Sequence, residues 1–137
     1  MAKDKLDLLA KVGLFRACSR KELEYIARIT DEVHVQAGRV LAAKDKPGHE
    51  FFLILEGTAV VQIDAGIELG PGDFFGEMAL LDGGPRIANV VAKTDMVLIV
   101  LGHREFASLI GEVPTISRAI MTVLAQRLRE AETGHTL

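Results

Sequence analysis

The chain has 137 residues, of which 49% are hydrophobic and 26% are charged, and its formal net charge is −3 at pH 7. This length suits one compact domain with its own core and is too short for two ordinary domains. The acidic balance and the lack of a basic run exclude a broad grip on a nucleic-acid backbone, which needs Lys and Arg in excess. We therefore predict one globular domain, residues 1–137, with no nucleic acid among its partners.

The cysteine content and the apolar runs predict the compartment. Cys18 is the only cysteine, so an intrachain disulfide is excluded. The first residues lead into no stretch suited to a signal peptide. The longest apolar runs, such as Met96–Leu101, fall far short of the roughly 20 residues that span a bilayer. We expect a soluble cytoplasmic protein without a membrane segment.

Residues 1–30 form a first block with helical periodicity. Leu6, Leu9 and Val12 recur at helical spacing. Ser19 stands three residues before Glu22 and is followed by an apolar run, which is the pattern of a capping box. The block predicts an N-terminal helical segment whose second helix begins after Ser19.

Residues 31–102 form a second block of short β-prone runs separated by turn residues. One of these runs is apolar throughout, as in a strand buried on both faces. Strands this short, at near-even spacing, favour a β-barrel or jelly roll. The predicted runs are Val33–Val35, Arg39–Ala43, Phe51–Leu55, Ala59–Ile63, Ile87–Ala92 and Met96–Leu101.

Residues 103–137 return to helical periodicity, and Pro114 is placed to open the longer of two helices. The predicted fold is therefore mainly β with flanking helices. It is a jelly-roll barrel that carries an inserted short phosphate-binding helix, between an N-terminal helical segment and a C-terminal helix.

The inserted helix is predicted between the strands, at Glu77–Leu81. This run is helix-prone and too short for a strand, and Gly83-Gly84-Pro85 ends it. A one-turn helix presents unpaired N–H groups, here those of Met78 and Ala79, toward one point, where they can bind an anion.

Two charged residues, one at the start of this short helix and one after it, limit which anion can bind. Gly76 lets a ligand approach the backbone closely. Arg86 can add a two-pronged, charge-assisted grip on a phosphate. Glu77 would repel a phosphate, but it can accept a hydrogen bond from a hydroxyl of the same ligand. A phosphate with a nearby hydroxyl describes a ribose phosphate.

Phe-Gly-Glu-Met-Ala-Leu-Leu (residues 75–81), followed after four residues by Arg-Ile-Ala-Asn-Val, resembles the phosphate-binding cassette of the cyclic nucleotide-binding domain family. That family includes catabolite activator proteins, regulatory subunits of protein kinase A and cyclic nucleotide-gated channels. The likeness covers nearly the whole chain, and the brief hairpin at 64–66 is similar to that of bacterial channel members. It implies a non-enzymatic sensor that binds cyclic AMP, with cyclic GMP as the other possible ligand, and that needs no cofactor or metal.

The resemblance also implies the ligand contacts. The counterpart of Arg86 binds the cyclic phosphate, that of Glu77 binds the ribose 2′-hydroxyl, and backbone groups complete the cradle. Strand residues such as Val61 would face the base. The full set of expected ligand-binding residues is Val61, Gly76, Glu77, Met78, Ala79, Arg86, Ile87, Ala88, Asn89 and Arg127.

Asn89 departs from the family pattern, since most members carry Thr or Ser there, with a hydroxyl on the phosphate. An Asn amide can still donate to a phosphate, but it leaves the choice between cyclic AMP and cyclic GMP open. The pattern stops soon after the final helix. We therefore expect the effector in another chain or in a part of the protein outside this sequence.

Arg127 falls inside the apolar stripe that Ile116, Ile120, Val123 and Leu124 form on the last helix. Two interpretations stay open. The side chain either extends past the domain into water, or it caps the base as an arginine does in some bacterial channel members. In the second case, closing of the helix over the base relays occupancy to a partner.

Two other functions compete with the sensor. A domain that kept the fold but lost its ligand would act as an interaction module, and its terminal helices could dimerise. A cupin-type metalloenzyme is the nearest enzyme class, with His34, His49 and His103 as candidate ligands. No two of these histidines are closely spaced on one strand beside a carboxylate, so we expect neither metal nor catalysis.

Overall fold

The computed structural model describes residues 2–63, 65–77 and 84–131. Within these residues, four α-helices and one short 3-10 helix flank eight strands. The helices are α1 (Ala2–Ala10), the 3-10 helix (Gly13–Phe15), α2 (Arg20–Ile29), α3 (His103–Glu112) and α4 (Pro114–Ala131). The strands are β1 (Asp31–Val35), β2 (Val40–Ala42), β3 (Glu50–Glu56), β4 (Ala59–Val61), β5 (Ile67–Leu69), β6 (Phe74–Phe75), β7 (Val90–Ala92) and β8 (Met96–Gly102).

The strands form two antiparallel sheets with the orders β1-β8-β3-β6 and β2-β7-β4-β5. The first strand thus pairs with the last and the second with the seventh, which is the nesting of a jelly roll. The predicted jelly-roll barrel with flanking helices is confirmed.

The second helix begins where the sequence predicts. The Ser19 hydroxyl accepts a hydrogen bond from the Glu22 N–H, and the Glu22 carboxylate accepts one from the Ser19 N–H. At the other end of α2, the ammonium group of Lys5 donates to the carbonyls of Ala27 and Thr30. Both ends of α2 therefore have partners for groups that a helix leaves unpaired.

The apolar run of β3 serves two cores, because successive side chains of a strand point to opposite faces. Phe51 and Leu53 pack in a core shared by the helices and one sheet. Phe52 and Ile54 pack in the barrel interior, between the two sheets. This division explains why β3 is apolar throughout Phe51–Leu55 instead of alternating.

The predicted run Ile87–Ala92 pairs as a strand only from Val90 onward. The backbone just before this run bonds to a different segment, the loop at Asp45 and Lys46. The Asp45 N–H donates to the Arg86 carbonyl at 2.8 Å, and the Arg86 N–H donates to the Lys46 carbonyl at 2.9 Å. Sequence propensity extends the strand too far because these two bonds come from a loop distant in sequence.

Among the described residues, no single helix is long and apolar enough to cross a bilayer. Helices α3 and α4 meet that length and composition only when taken together, and they join at a 105° bend.

Candidate functional site

Arg86 is a buried cation with two main-chain partners. Its residue is 8% exposed. Its Nη1 donates to the Gly76 carbonyl at 3.2 Å and its Nη2 donates to the Glu50 carbonyl at 2.9 Å. The guanidinium carbon also lies 5.8 Å from the ring centroid of Phe52. The helical and strand patterns place Arg86 outside the core, whereas the folded chain buries it between the start of β3 and the end of β6.

Gly76 leaves the space that the Arg86 guanidinium occupies. Its φ is +94°, a backbone conformation that residues other than glycine rarely adopt. A Cβ at this position would lie 2.6 Å from Arg86 Nη1 and 2.6 Å from the Glu50 carbonyl oxygen. The close approach that the sequence predicts for a ligand at Gly76 is therefore also required by the protein's own arginine.

Glu77 carries a carboxylate in a buried position, 4% exposed. Its Oε1 accepts a hydrogen bond from Arg127 Nη1 at 3.0 Å. Burial raises the pKa of this carboxyl above its ordinary value, while a backbone hydrogen bond and the charges of Arg127 and Arg86 oppose that rise. Burial therefore disfavours the charged form of this carboxyl, and the two arginines favour it.

Arg127 lies against the barrel and does not extend into water, so the solvent-directed interpretation of this residue is wrong for this structure. Its Nη2 donates to the Phe74 carbonyl at 3.0 Å, and its guanidinium carbon lies 4.6 Å from the ring centroid of Phe74. The Arg127 side chain is 39% exposed. Helix α4 is thus tied to the cassette through the same carboxylate that the sequence assigns to a ribose hydroxyl.

Two cations and two carboxylates set the charge of the site. Arg86 and Arg127 both act on Glu77, and the carboxylates of Glu50 and Glu77 both act on Arg86. The guanidinium of Arg86 has further N–H groups beyond the two used on carbonyls. An anion placed here could accept hydrogen bonds from Arg86, which is buried from screening solvent.

The remaining predicted residues take different positions. Ala88 is buried, Val61 packs partly against the barrel interior, and Ile87 is 60% exposed. The side-chain oxygen of Asn89 accepts a hydrogen bond from the Lys44 N–H at 2.7 Å. Met78 and Ala79, and with them most of the predicted short helix, lie outside the described residues.

Four features of the site were not foreseen from the sequence: the Glu50 carbonyl, the rings of Phe52 and Phe74, and the loop at Lys44–Lys46. Every residue has a main-chain carbonyl, so the residue type at position 50 gives no indication that its carbonyl binds Arg86. The loop shows only turn residues. Phe52 falls in the predicted run Phe51–Leu55, whereas Phe74 lies outside the predicted runs, and both residues belong to strands of the structure.

The three histidines do not meet at a site. His34 lies 2.8 Å from a Glu32 carboxylate oxygen, and the rings of His49 and His103 stand 5.9 Å apart. Within residues 2–63, 65–77 and 84–131, no group of three or more His, Cys, Asp or Glu side chains is placed to hold a metal ion.

Comparison with known proteins gives the family. The model of the cyclic nucleotide-binding domain matches residues 32–112. A cyclic nucleotide-gated potassium channel of Mesorhizobium japonicum is 37% identical over 120 residues, which are 88% of this chain and 34% of the channel. A cAMP-dependent protein kinase regulatory subunit of Aspergillus niger is 39% identical over 116 residues, which are 80% of this chain and 28% of that subunit.

Solved structures agree with this match. The catabolite activator protein of Thermus thermophilus is 30% identical, with a TM-score of 0.76, over 87% of this chain and 59% of that one. The structure of PKAR CBD2 bound to Sp-2Cl-cAMPS is 25% identical, with a TM-score of 0.79, over 95% of this chain and 90% of that one. The chain belongs to the cyclic nucleotide-binding domain family. It spans about a third of the length of the curated relatives that it matches.

A pair of glycine substitutions separates backbone strain from close approach at the site. Gly72 has φ +92°, and a Cβ there would meet no atom within 4 Å, whereas Gly76 has the same strain and two close atoms. We expect Gly72→Ala to lower the free energy of unfolding by about 1–2 kcal/mol, the strain of a left-handed residue. Gly76→Ala should cost roughly 1–3 kcal/mol more, because it also displaces a buried hydrogen bond. Urea unfolding measures both, and equal losses would mean that Arg86 moves aside freely.

The buried carboxyl of Glu77 predicts how the free energy of unfolding changes with pH. Its pKa in the folded chain is raised above the ordinary 4.5, so between these two values the folded state binds more protons than the unfolded state. Stability from this group is therefore lost as the pH rises through that window. Relative to Glu77→Gln, the parent should lose free energy of unfolding above pH 4.5. A relative gain would show that the two arginines outweigh burial.

Proposed function

We propose that this chain is a non-enzymatic sensor that binds a cyclic mononucleotide, with cyclic AMP as the expected ligand. The observation that carries the proposal is the buried pair of opposite charges at the cassette. Arg86 is held by two carbonyls, and its charge acts on the buried carboxyl of Glu77, the residue that follows Gly76.

The chemistry of the two groups supports a ribose phosphate. A planar guanidinium suits a phosphate, to which it can donate in a bidentate manner. A buried carboxylate suits a hydroxyl, because it only accepts hydrogen bonds and gains from each one. A cyclic mononucleotide offers both groups on one rigid ring system.

Relay through α4 forms the second part of the proposal. A ligand can shift a helix only through contacts that differ between its free and bound positions. Arg127 belongs to α4 and bonds the carboxylate that would also receive the ribose hydroxyl. Glu77 would therefore be shared between the ribose hydroxyl and Arg127, which connects the ligand to α4 through one carboxylate. The base-capping role of Arg127 stays a prediction.

An interaction module without a ligand is the second candidate. It is favoured by the Glu77–Arg127 pair, which satisfies the buried carboxylate within the chain. Exposed Met121 and Leu128 on α4, at 63% and 60%, offer an apolar contact to a partner or to a second copy. A thermal shift separates the two functions, since a ligand that binds only the folded state raises the melting temperature. No shift with either cyclic AMP or cyclic GMP would leave the module as the function.

Arg86 variants test the phosphate grip. Truncating one partner of a desolvated charge pair costs about 2–5 kcal/mol, so Arg86→Leu should weaken cyclic AMP about 30-fold to several thousandfold. Because Arg86 is buried, circular dichroism must first show that the variant is folded. Arg86→Lys keeps the charge without the fork and should lose less. Arg39→Leu, at an exposed position, is the matched control. Unchanged binding by a folded Arg86→Leu would refute the grip.

Amide exchange tests the relay. Adding cyclic AMP should change exchange across 123–128 in the parent, and much less in Arg127→Ala, because the link to the cassette is gone. Arg129→Ala removes an exposed cation from the same helix and should respond like the parent. If Arg127→Ala also responds like the parent, the signal leaves the domain by another element.

A further inference from the structure

We propose that Asn89 is a positioning residue, which holds the loop Ala43–Pro47 against the backbone of Arg86 and does not itself contact the phosphate. The inference rests on the proposed function, since it concerns how the same site is held in shape. It replaces the role that the sequence suggests for Asn89, an amide donating to the phosphate.

The first support is the orientation of the Asn89 amide. The Lys44 N–H can only donate, so the atom that faces it at 2.7 Å is the side-chain oxygen. The amide nitrogen is thereby turned toward the side-chain oxygen of Gln62, at 3.4 Å. Both ends of the amide thus face protein groups on two different loops.

The second support is the face on which Asn89 stands. Its neighbours Ala88 and Val90 are both buried, and Val90 belongs to the core of the barrel interior. Successive side chains of an extended segment alternate between faces. Asn89 therefore points away from the barrel interior, and the main-chain bond from the Gln62 N–H to its carbonyl, 2.9 Å, fixes it there.

The third support is what the tethered loop contacts. The loop makes the two main-chain hydrogen bonds to Arg86, of 2.8 and 2.9 Å, and its last residue pairs with Pro85 as an isolated β-bridge. The Arg86 N–H and the Arg86 carbonyl thus both find their backbone partners in this loop. Its position bears directly on the position of Arg86.

One residue of the loop has a left-handed backbone conformation. Asp45 has φ +69°, which Asp adopts more readily than most residues with a side chain but less readily than glycine. Such a conformation persists where surrounding contacts hold it. Next to Asp45 in the chain, the Lys44 N–H donates a hydrogen bond to the side-chain oxygen of Asn89.

Two variants of Asn89 distinguish positioning from direct contact. Asn89→Asp keeps an acceptor for the Lys44 N–H but would set a negative charge against a phosphate. Asn89→Leu removes the acceptor at similar size. If Asn89 positions the loop, Asn89→Leu should weaken cyclic AMP about fivefold to tenfold, the effect of one lost hydrogen bond, and Asn89→Asp should stay within about threefold of the parent. Gln62→Leu is the control and should also stay near the parent.

Amide exchange without nucleotide gives a readout that is independent of binding. The N–H groups of Asp45 and Arg86 should exchange faster in Asn89→Leu and at the parent's rate in Asn89→Asp. Binding by Asn89→Asp as weak as, or weaker than, that by Asn89→Leu would overturn the proposal, as would parent-like binding or exchange in Asn89→Leu. Should the parent itself bind neither cyclic AMP nor cyclic GMP, the proposed function fails, while the exchange rates still decide whether Asn89 holds the loop. If Asn89→Leu does not fold, Asn89→Asp alone decides, because the two roles predict opposite results for it.

Discussion

The guanidinium of Arg86 is a charge inside the protein, and burying a charge is unfavourable unless new partners replace the water that it loses. Here the partners are the carbonyls of Gly76 and Glu50, the ring of Phe52 and the nearby carboxylate of Glu77. Each partner constrains another part of the chain. Gly76 must lack a side chain, and β3 and β6 must pair in register so that both carbonyls face the same cation.

A second cation links the helices to this arrangement. Arg127 stacks on Phe74 and bonds Glu77. Phe74 in turn contacts Phe51, whose ring stacks on Phe106 of α3 at 5.0 Å. A continuous row of packed side chains therefore runs from the carboxylate of the site to both C-terminal helices. Chains of packed side chains such as this one can carry energetic coupling between distant sites.

Several elements could be predicted because their causes lie within a few residues. Ser19 and Glu22 cap α2 across one turn. Pro114 begins α4 because the N–H that proline lacks would be unpaired at the start of a helix anyway. Other features escaped prediction for equally physical reasons. The strand ahead of Val90 is cut short by a distant loop, and the amide of Asn89 is committed to that same loop. The apolar stripe on α4 correctly placed Arg127 on the face that packs against the barrel. It could not predict that Glu77 and the Phe74 carbonyl are the partners of Arg127.

The sequence by itself determined the class of fold, the order of its elements and the segment that carries the candidate site, since periodicity, turn chemistry and the cassette pattern are all local. The tertiary structure alone decided which charges are buried and which groups satisfy them. Arg86 meets Glu50 across 36 positions, Lys44 meets Asn89 across 45, and Arg127 meets Glu77 across 50. Contacts over such distances depend on how the sheets and helices pack, and no local pattern of residues encodes which partner a long side chain will reach.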